Sequence, residues 1–319
     1  MTGGRVPWQV KFVALAVIWG SSFLLMKVGL DDLHPIQIVA TRIILAAATL
    51  VVLLRGTGSS LPRGRRIWGH IFVSSMFLTV IPFTGFVTGE VYVSSAIAGI
   101  GNATTPIATV LCALALLPTE HLTVRKLVAV ILGFVGVIVI AEPWNLIGRP
   151  DPLGLLLVVL AACSYGVGWT YNRRTLARAD LGGLAQPTAL LLCGTVAIVP
   201  ILLAWWLLSP VAGVAPWSPV PGGGGVSDAY PLWLAVAATV VLGVLGTGLA
   251  YMFQYDVVRA AGTVVGSTVT YLIPVVSVVL GVVVLGERLG PAQLGGFAVV
   301  LVAAVVINRA PARRLAPTG

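Results

Sequence analysis

Nine polar or aromatic residues lie where an apolar chain has least reason to put them. Trp19, Ser22, Arg42, Asn102, Tyr165, Trp169, Tyr251, Gln254 and Tyr271 all fall within long hydrophobic runs. Indole, phenol, amide and hydroxyl groups on apolar walls are what a pocket for a small organic molecule needs: apolar surface plus a few groups that orient the guest. Taken singly, each also suits helix packing with a satisfied hydroxyl. Arg42 differs, because a charge about two turns inside an apolar run is costly unless it reaches water or a partner. Two readings are open for it. It snorkels and pairs with Asp31 or Asp32 at the surface, or it faces a cavity and meets a carboxylate on a bound molecule.

Bond-making chemistry has less to stand on. A hydrolase needs a nucleophile with its base, or a metal site. His34, His70 and His121 lie in or beside expected loops in separate parts of the chain, and HExxH, GxSxG and clustered intramembrane aspartates are absent. Cys112, Cys163 and Cys193 are far apart, each in an apolar run, and read as small buried hydrophobes. The GxG at Gly99 and Gly101 has no strand before it, so it reads, with Gly243, Gly246 and Gly248, as close helix packing and not as a phosphate loop. No metal and no cofactor is expected.

The elements that hold these residues follow from composition. Of 319 residues, 58% are hydrophobic and 9% are Asp, Glu, Lys or Arg; soluble domains carry roughly 25% charged residues. Lipid is therefore the expected solvent. A bilayer core about 30 Å thick needs about 20 apolar residues per helix. Ten runs meet this: residues 10–30, 36–54, 68–89, 94–117, 123–141, 153–173, 184–207, 232–255, 263–285 and 291–307. They do not alternate as barrel strands would. The first run has no small-residue cleavage site and is expected to stay as a span.

The net charge of +9 is explained by orientation, with no nucleic-acid partner. With a cytoplasmic N-terminus, fifteen Lys or Arg fall on the cytoplasmic side and three (Lys27, Arg149, Arg288) on the other, a strong positive-inside bias. The basic stretch LPRGRR at residues 61–66 reads as an anchor to anionic headgroups. Both termini are expected in the cytoplasm of a cell that keeps this chain in its inner or plasma membrane. The Pro- and Gly-rich loop at 209–231 is expected to be flexible on the outer face, and the basic tail at 309–319 to be disordered.

The chain also repeats a phrase. TPIATVLCALALLPTE (105–120) and IPVVSVVLGVVVLGE (273–287) each hold a proline, an oily run and a glutamate, with Pro106 and Pro274 offset by 168 residues. Trp19-Gly20 falls likewise on Tyr165-Gly166, and Lys27 on Arg173. Two copies of a five-helix unit result, 8–142 and 152–308. Five is odd, so the copies must enter the membrane from opposite sides. The expected fold is all-α integral membrane, ten helices as two inverted five-helix repeats around a central cavity, the plan of a secondary transporter. Pro106 and Pro274 each remove a helix donor and are expected to bend helices beside the cavity, with Thr105 or Asn102 taking up the first freed carbonyl and Thr270 the second. Pro82 has no counterpart in the other half. Glu120 and Glu287 are expected to favour the amide end of the helix that follows each. Glu90 and Asp256, near opposite helix ends, suit either proton titration or salt bridging.

IWGSSF at 18–23, ATRIILA at 40–46 and the stretch 250–296 ending VVVLGERLGPAQLGG resemble the EamA domain of the drug/metabolite transporter superfamily. The first copy departs from it, with LPTE in place of LGE. The resemblance implies an inner-membrane carrier of a small metabolite, amino-acid-like or amphiphilic, often an exporter. An integral-membrane enzyme and a non-transporting scaffold are the alternatives. The expected partners are a small-molecule substrate and the lipid bilayer, and a monomer is compatible with everything above. The inverted plan makes a direct prediction: a reporter beside Asp151 should read outside while one at the C-terminus reads inside. Both reporters in the compartment of Met1 would end the inverted-repeat account.

Overall fold

The computed structural model describes residues 7–118, 121, 123–142, 144, 150–176, 179, 181–209, 231–267 and 269–308. The expectations for Glu120, for the interior of the 209–231 loop and for the tail lie outside them. Among the described residues every regular element is helical. Eight helices are long and apolar enough to cross a membrane, and two shorter apolar helices, Val269–Leu285 and Pro291–Val306, accompany them.

Helix starts follow local chemistry. α1 is Trp8–Gly29 and α2 is Pro35–Gly56. α2 opens on a reciprocal cap: His34 Nδ1 accepts from the Ile36 N–H at 3.3 Å, and Gln37 Oε1 accepts from the His34 N–H at 2.8 Å. Burial lowers the His34 pKa from its ordinary value, which favours the neutral ring able to accept that bond. Arg65–Ser75 (α3) passes through a π turn, Met76–Val80, into Ile81–Gly89 (α4). The run at 94–117 is two helices, Ser95–Asn102 (α5) and Thr105–Leu116 (α6), with α5 capped by the Ser94 hydroxyl. Val124–Ala141 (α7) starts on Thr123, and Pro152–Thr175 (α8) on Asp151, which accepts from Leu153 and Gly154. α9 is Ala185–Leu208. Leu232–Gly243 (α10) enters a second π turn, Val244–Leu249, before Ala250–Ser267 (α11); Val269–Leu285 (α12) and Pro291–Asn308 (α13) follow.

Several expectations need correction. The connection placed between residues 255 and 263 is helical, because its sequence DVVRAAG has no proline to stop α11. Pro106 stands at the second position of α6, where its missing N–H costs nothing. The break lies just before it, at Ala103 and Thr104, where the Thr104 hydroxyl donates to the Gly101 carbonyl at 2.7 Å. Pro274 stands inside its helix, as expected, and α12 runs on past it. Glu287 does bind a helix N-terminus, but not the one that follows it. Its carboxylate accepts from the Ser95 and Ala96 N–H groups at 2.7 and 2.9 Å, capping α5 from 192 residues away. His70, placed above beside a loop, lies within α3 and bonds the Tyr171 hydroxyl at 2.8 Å.

The helices pair in a regular way. α1 packs on α12 and on α10–α11; α8 packs on α6 and on α3–α4; α2 lies on α9, and α7 on α13. Exchanging the first five runs for the last five leaves these pairings unchanged. Gly20 makes the first contact possible, since a Cβ there would strike the Val276 side chain and come within 3.0 Å of the Ile273 carbonyl. Gly166, its repeat mate, lies as tightly on α6, where a Cβ would meet the backbone of Ala108 and Thr109 at 2.7 and 2.8 Å. Gly20→Ala should therefore lower the detergent-solubilised Tm, by the order of 1–3 kcal/mol of overpacking. Gly295→Ala, with open space at its Cβ, should leave it unchanged. Equal Tm values for the two variants would contradict the close approach.

Candidate binding cavity

Between these crossings lies a cavity of about 130 Å³. That is space for a handful of waters, at roughly 30 Å³ each, or for a compact metabolite. Eight of the nine residues singled out above line it: Trp19, Ser22, Arg42, Asn102, Tyr165, Trp169, Tyr251 and Gln254. Tyr271 does not. Its hydroxyl donates to the Ala304 carbonyl at 2.9 Å, and the neighbouring Thr270 takes the place on the wall. Two roomier grooves, one at Leu202 to Trp206 and one at Val137 to Val159, are apolar and bring no charged group together.

The walls are aromatic. Trp19 meets Tyr251 edge to face with centroids 6.4 Å apart, Phe23 meets Phe86 at 5.6 Å, and Phe86 meets Tyr165 at 6.0 Å. Trp169 lines the cavity yet is 43% exposed overall. Ser22 donates to the Ile18 carbonyl of its own helix, and the Asn102 side-chain oxygen accepts from Thr105 across the break between α5 and α6.

Arg42 lies in the cavity wall. It is 7% exposed, and neither Asp31 nor Asp32 holds it. Its Nε donates to Thr247 Oγ1 at 2.9 Å, its Nη1 reaches the Met26 sulfur at 3.5 Å, and its carbon lies 3.7 Å from the centre of the Phe83 ring. Guanidinium has five N–H donors. One hydroxyl, one weak thioether acceptor and a ring face leave it able to take a carboxylate in the bidentate manner.

The second π turn is what presents Thr247. In it the Thr247 hydroxyl donates to the Leu242 carbonyl, five residues back, at 3.2 Å, while its oxygen accepts from Arg42. The first π turn lies 168 residues earlier, with Thr79 at the equivalent place donating to the Ser75 carbonyl at 2.7 Å. Pro82, left without a counterpart above, follows a distortion that both halves share; the second half reaches it through Gly246 and Gly248. π turns are uncommon and frequent at functional sites.

The same 168-residue offset carries cavity residues onto cavity residues: Phe83 onto Tyr251, Phe86 onto Gln254, Asn102 onto Thr270 and Thr105 onto Ile273. Phe23, Phe83, Phe86, Thr105, Thr247 and Thr270 were missed as wall residues, and applying that offset to Tyr251, Gln254 and Asn102 is the signal that would have found three of them, Phe83, Phe86 and Thr270.

A family model described as the EamA-like transporter family matches residues 7–141 and 152–309. The chain belongs to this family. An uncharacterized inner membrane transporter of Escherichia coli, YedA, is 25% identical over 305 residues, covering 95% of this chain and 91% of that one. A probable amino-acid metabolite efflux pump of Salmonella typhimurium is 25% identical, with 93% of each chain covered. A probable terminal-alkyne amino-acid exporter of Streptantibioticus cattleyicolor is 29% identical over 96% of this chain and 94% of its own. A solved crystal structure, 19% identical, shares the fold with a TM-score of 0.59 over 95% of this chain and 96% of that one.

Within this EamA-like chain, the Arg42–Thr247 bond can be tested without knowing the ligand. Thr247→Val keeps the shape and removes the acceptor, leaving a buried charged donor unsatisfied, a loss of about 1–3 kcal/mol. The Tm should fall, and Thr247→Ser should restore it. A valine variant as stable as the parent would mean that Arg42 does not depend on this hydroxyl.

Proposed function

We propose that the protein is a secondary transporter that moves a small amphiphilic metabolite bearing a carboxylate, of amino-acid-like class, out of the cell by alternating access. The observation that carries this is Arg42, a buried guanidinium with donors to give in the wall of an aromatic cavity. A cation on one wall and indole, phenol and phenyl rings on the others suit a molecule with an acid at one end and an apolar or aromatic body. Relatives named as an efflux pump for amino-acid metabolites and an amino-acid exporter point the same way.

Alternating access rests on symmetry. The two units 8–142 and 152–308 are read as inverted five-helix halves, with both termini in the cytoplasm of an inner or plasma membrane. Pairings that survive exchange of the halves, matched π turns and matched cavity residues support that reading. Two like bundles around one site can rock so that each face reaches it in turn.

The purified protein in vesicles, with amino acids and aryl or alkyl carboxylates loaded inside, provides the test. At least one should leave faster than from protein-free vesicles, and its rate should saturate. Arg42→Gln should raise the half-saturating concentration about tenfold or more, since a charge-assisted bond is worth about 1.5–3 kcal/mol and 1.4 kcal/mol is tenfold. A panel in which no compound moves faster than through bare lipid would defeat the proposal.

A further inference from the structure

At the end of the bundle that holds residues 27–35 and 90–95, one acid stands out. Glu90 directly follows the span Arg65–Gly89, is 0% exposed, and among the described residues neither carboxylate oxygen has a hydrogen-bond partner. In the same turn the Ser95 hydroxyl is also buried without a partner. The obvious counter-charge is already occupied. Lys27, on α1, donates to the backbone carbonyls of Glu90 at 2.6 Å and Val93 at 3.0 Å, pinning α1 to the α4–α5 turn. Glu287, arriving from the end of α12, uses both oxygens on the Ser95 and Ala96 N–H groups.

We propose that Glu90 is a proton-binding site linked to closure of the outer end: it holds a proton while that end is shut and releases it when the end opens. The inference rests on the alternating-access reading and adds to it a specific ion and a specific group.

The physics is that of linkage. A buried carboxylate without donors is far costlier than the neutral acid. Burial accordingly pushes the Glu90 carboxyl well above the ordinary carboxylate range, against the pull of the Lys27 ammonium. The other charges that face it are Glu287, which opposes ionisation, and Arg42 of α2, which favours it; Asp31, just past α1, acts on Lys27. Opening the outer end must part Lys27 from its two carbonyls and Glu287 from α5. Water then reaches Glu90, its pKa falls toward the ordinary carboxylate value, and it ionises as R–COOH → R–COO⁻ + H⁺. The closed form thus binds one proton more than the open form between the two pKa values. In that window acid outside favours closure, and a rise in outside pH favours opening.

The experiment needs no substrate. Cys112, Cys163 and Cys193 are replaced by alanine and a reporter thiol is placed on the cavity wall by Phe86→Cys. Its labelling by a membrane-impermeant maleimide from outside is followed in vesicles of fixed internal pH. Rates are normalised at each outside pH to the same thiol in unfolded protein. The parent should label more slowly as outside pH falls, by up to about tenfold per pH unit for one linked proton. Glu90→Gln, which mimics the protonated acid, should label slowly at every pH, and Glu90→Asp should keep the slope. A flat profile in the parent overturns the proposal without recourse to any variant, as does an unchanged slope in Glu90→Gln. A thiol that is never reached from outside at any pH overturns both this and the alternating-access reading; a thiol that is reached, with a flat profile, overturns this one alone.

Discussion

Hydrocarbon offers a peptide group nothing to bond with, and that constraint governs the rest of this structure. Each backbone N–H and C=O within a span must be satisfied inside the protein, which makes the helix the default. What matters is where the default fails. The chain breaks at Ala103 and Thr104, and it loosens into π turns at Met76–Val80 and Val244–Leu249. Asn102 and Thr105 flank the break, Gly246 and Thr247 belong to the second π turn, and all four line the cavity. The irregular backbone is gathered where polar side chains can serve it. Thr104 covers the Gly101 carbonyl, Thr79 that of Ser75 and Thr247 that of Leu242. Two of the three faults, the break and the second π turn, thus lie on the cavity wall.

Helix packing adds a second layer. Without a hydrophobic drive between helices in lipid, close contact depends on small residues. Gly20 on α12 and Gly166 on α6 let each half's first helix lie against the fourth run of the other half. Those crossings set the distance between the walls, which is why Trp19 and Tyr165, each next to its glycine, face a common space.

Much of this is written locally in the sequence, and what is not has identifiable causes. Apolar runs of span length, the intramembrane arginine and most of the polar and aromatic set are visible because each is improbable in lipid without a reason. Phe23, Phe83 and Phe86 carry no such mark, since a phenyl ring suits a cavity wall, a helix contact or lipid equally well. Tyr271 was misjudged by one step of the helix: a turn of about 100° per residue sends it to Ala304 and gives the wall to Thr270. The π turns escaped because an extra residue in a turn changes the face presented beyond it without any fixed residue signature; Pro82 accompanies one and only glycines the other. Glu287 was assigned to its neighbour in sequence, whereas its true partner, the start of α5, lies in the other half and no local pattern records it.

The distribution of polar contacts bears on what can move. Apolar crossings held by glycine fit are close-packed and resist gradual deformation. Charged contacts at the helix ends are different. Lys27 and Glu287 tie α1, the α4–α5 turn and α12 at one end, and Lys11 meets Asp256 at 2.5 Å near the other, with both side chains part-exposed. The Lys11–Asp256 pair, partly hydrated, is worth little net free energy, because water competes for each partner as the pair opens, whereas the Lys27 and Glu287 bonds to backbone groups are charge-assisted and worth about 1.5–3 kcal/mol each. The charged contacts thus lie toward the two ends, with the glycine-fitted crossings between them.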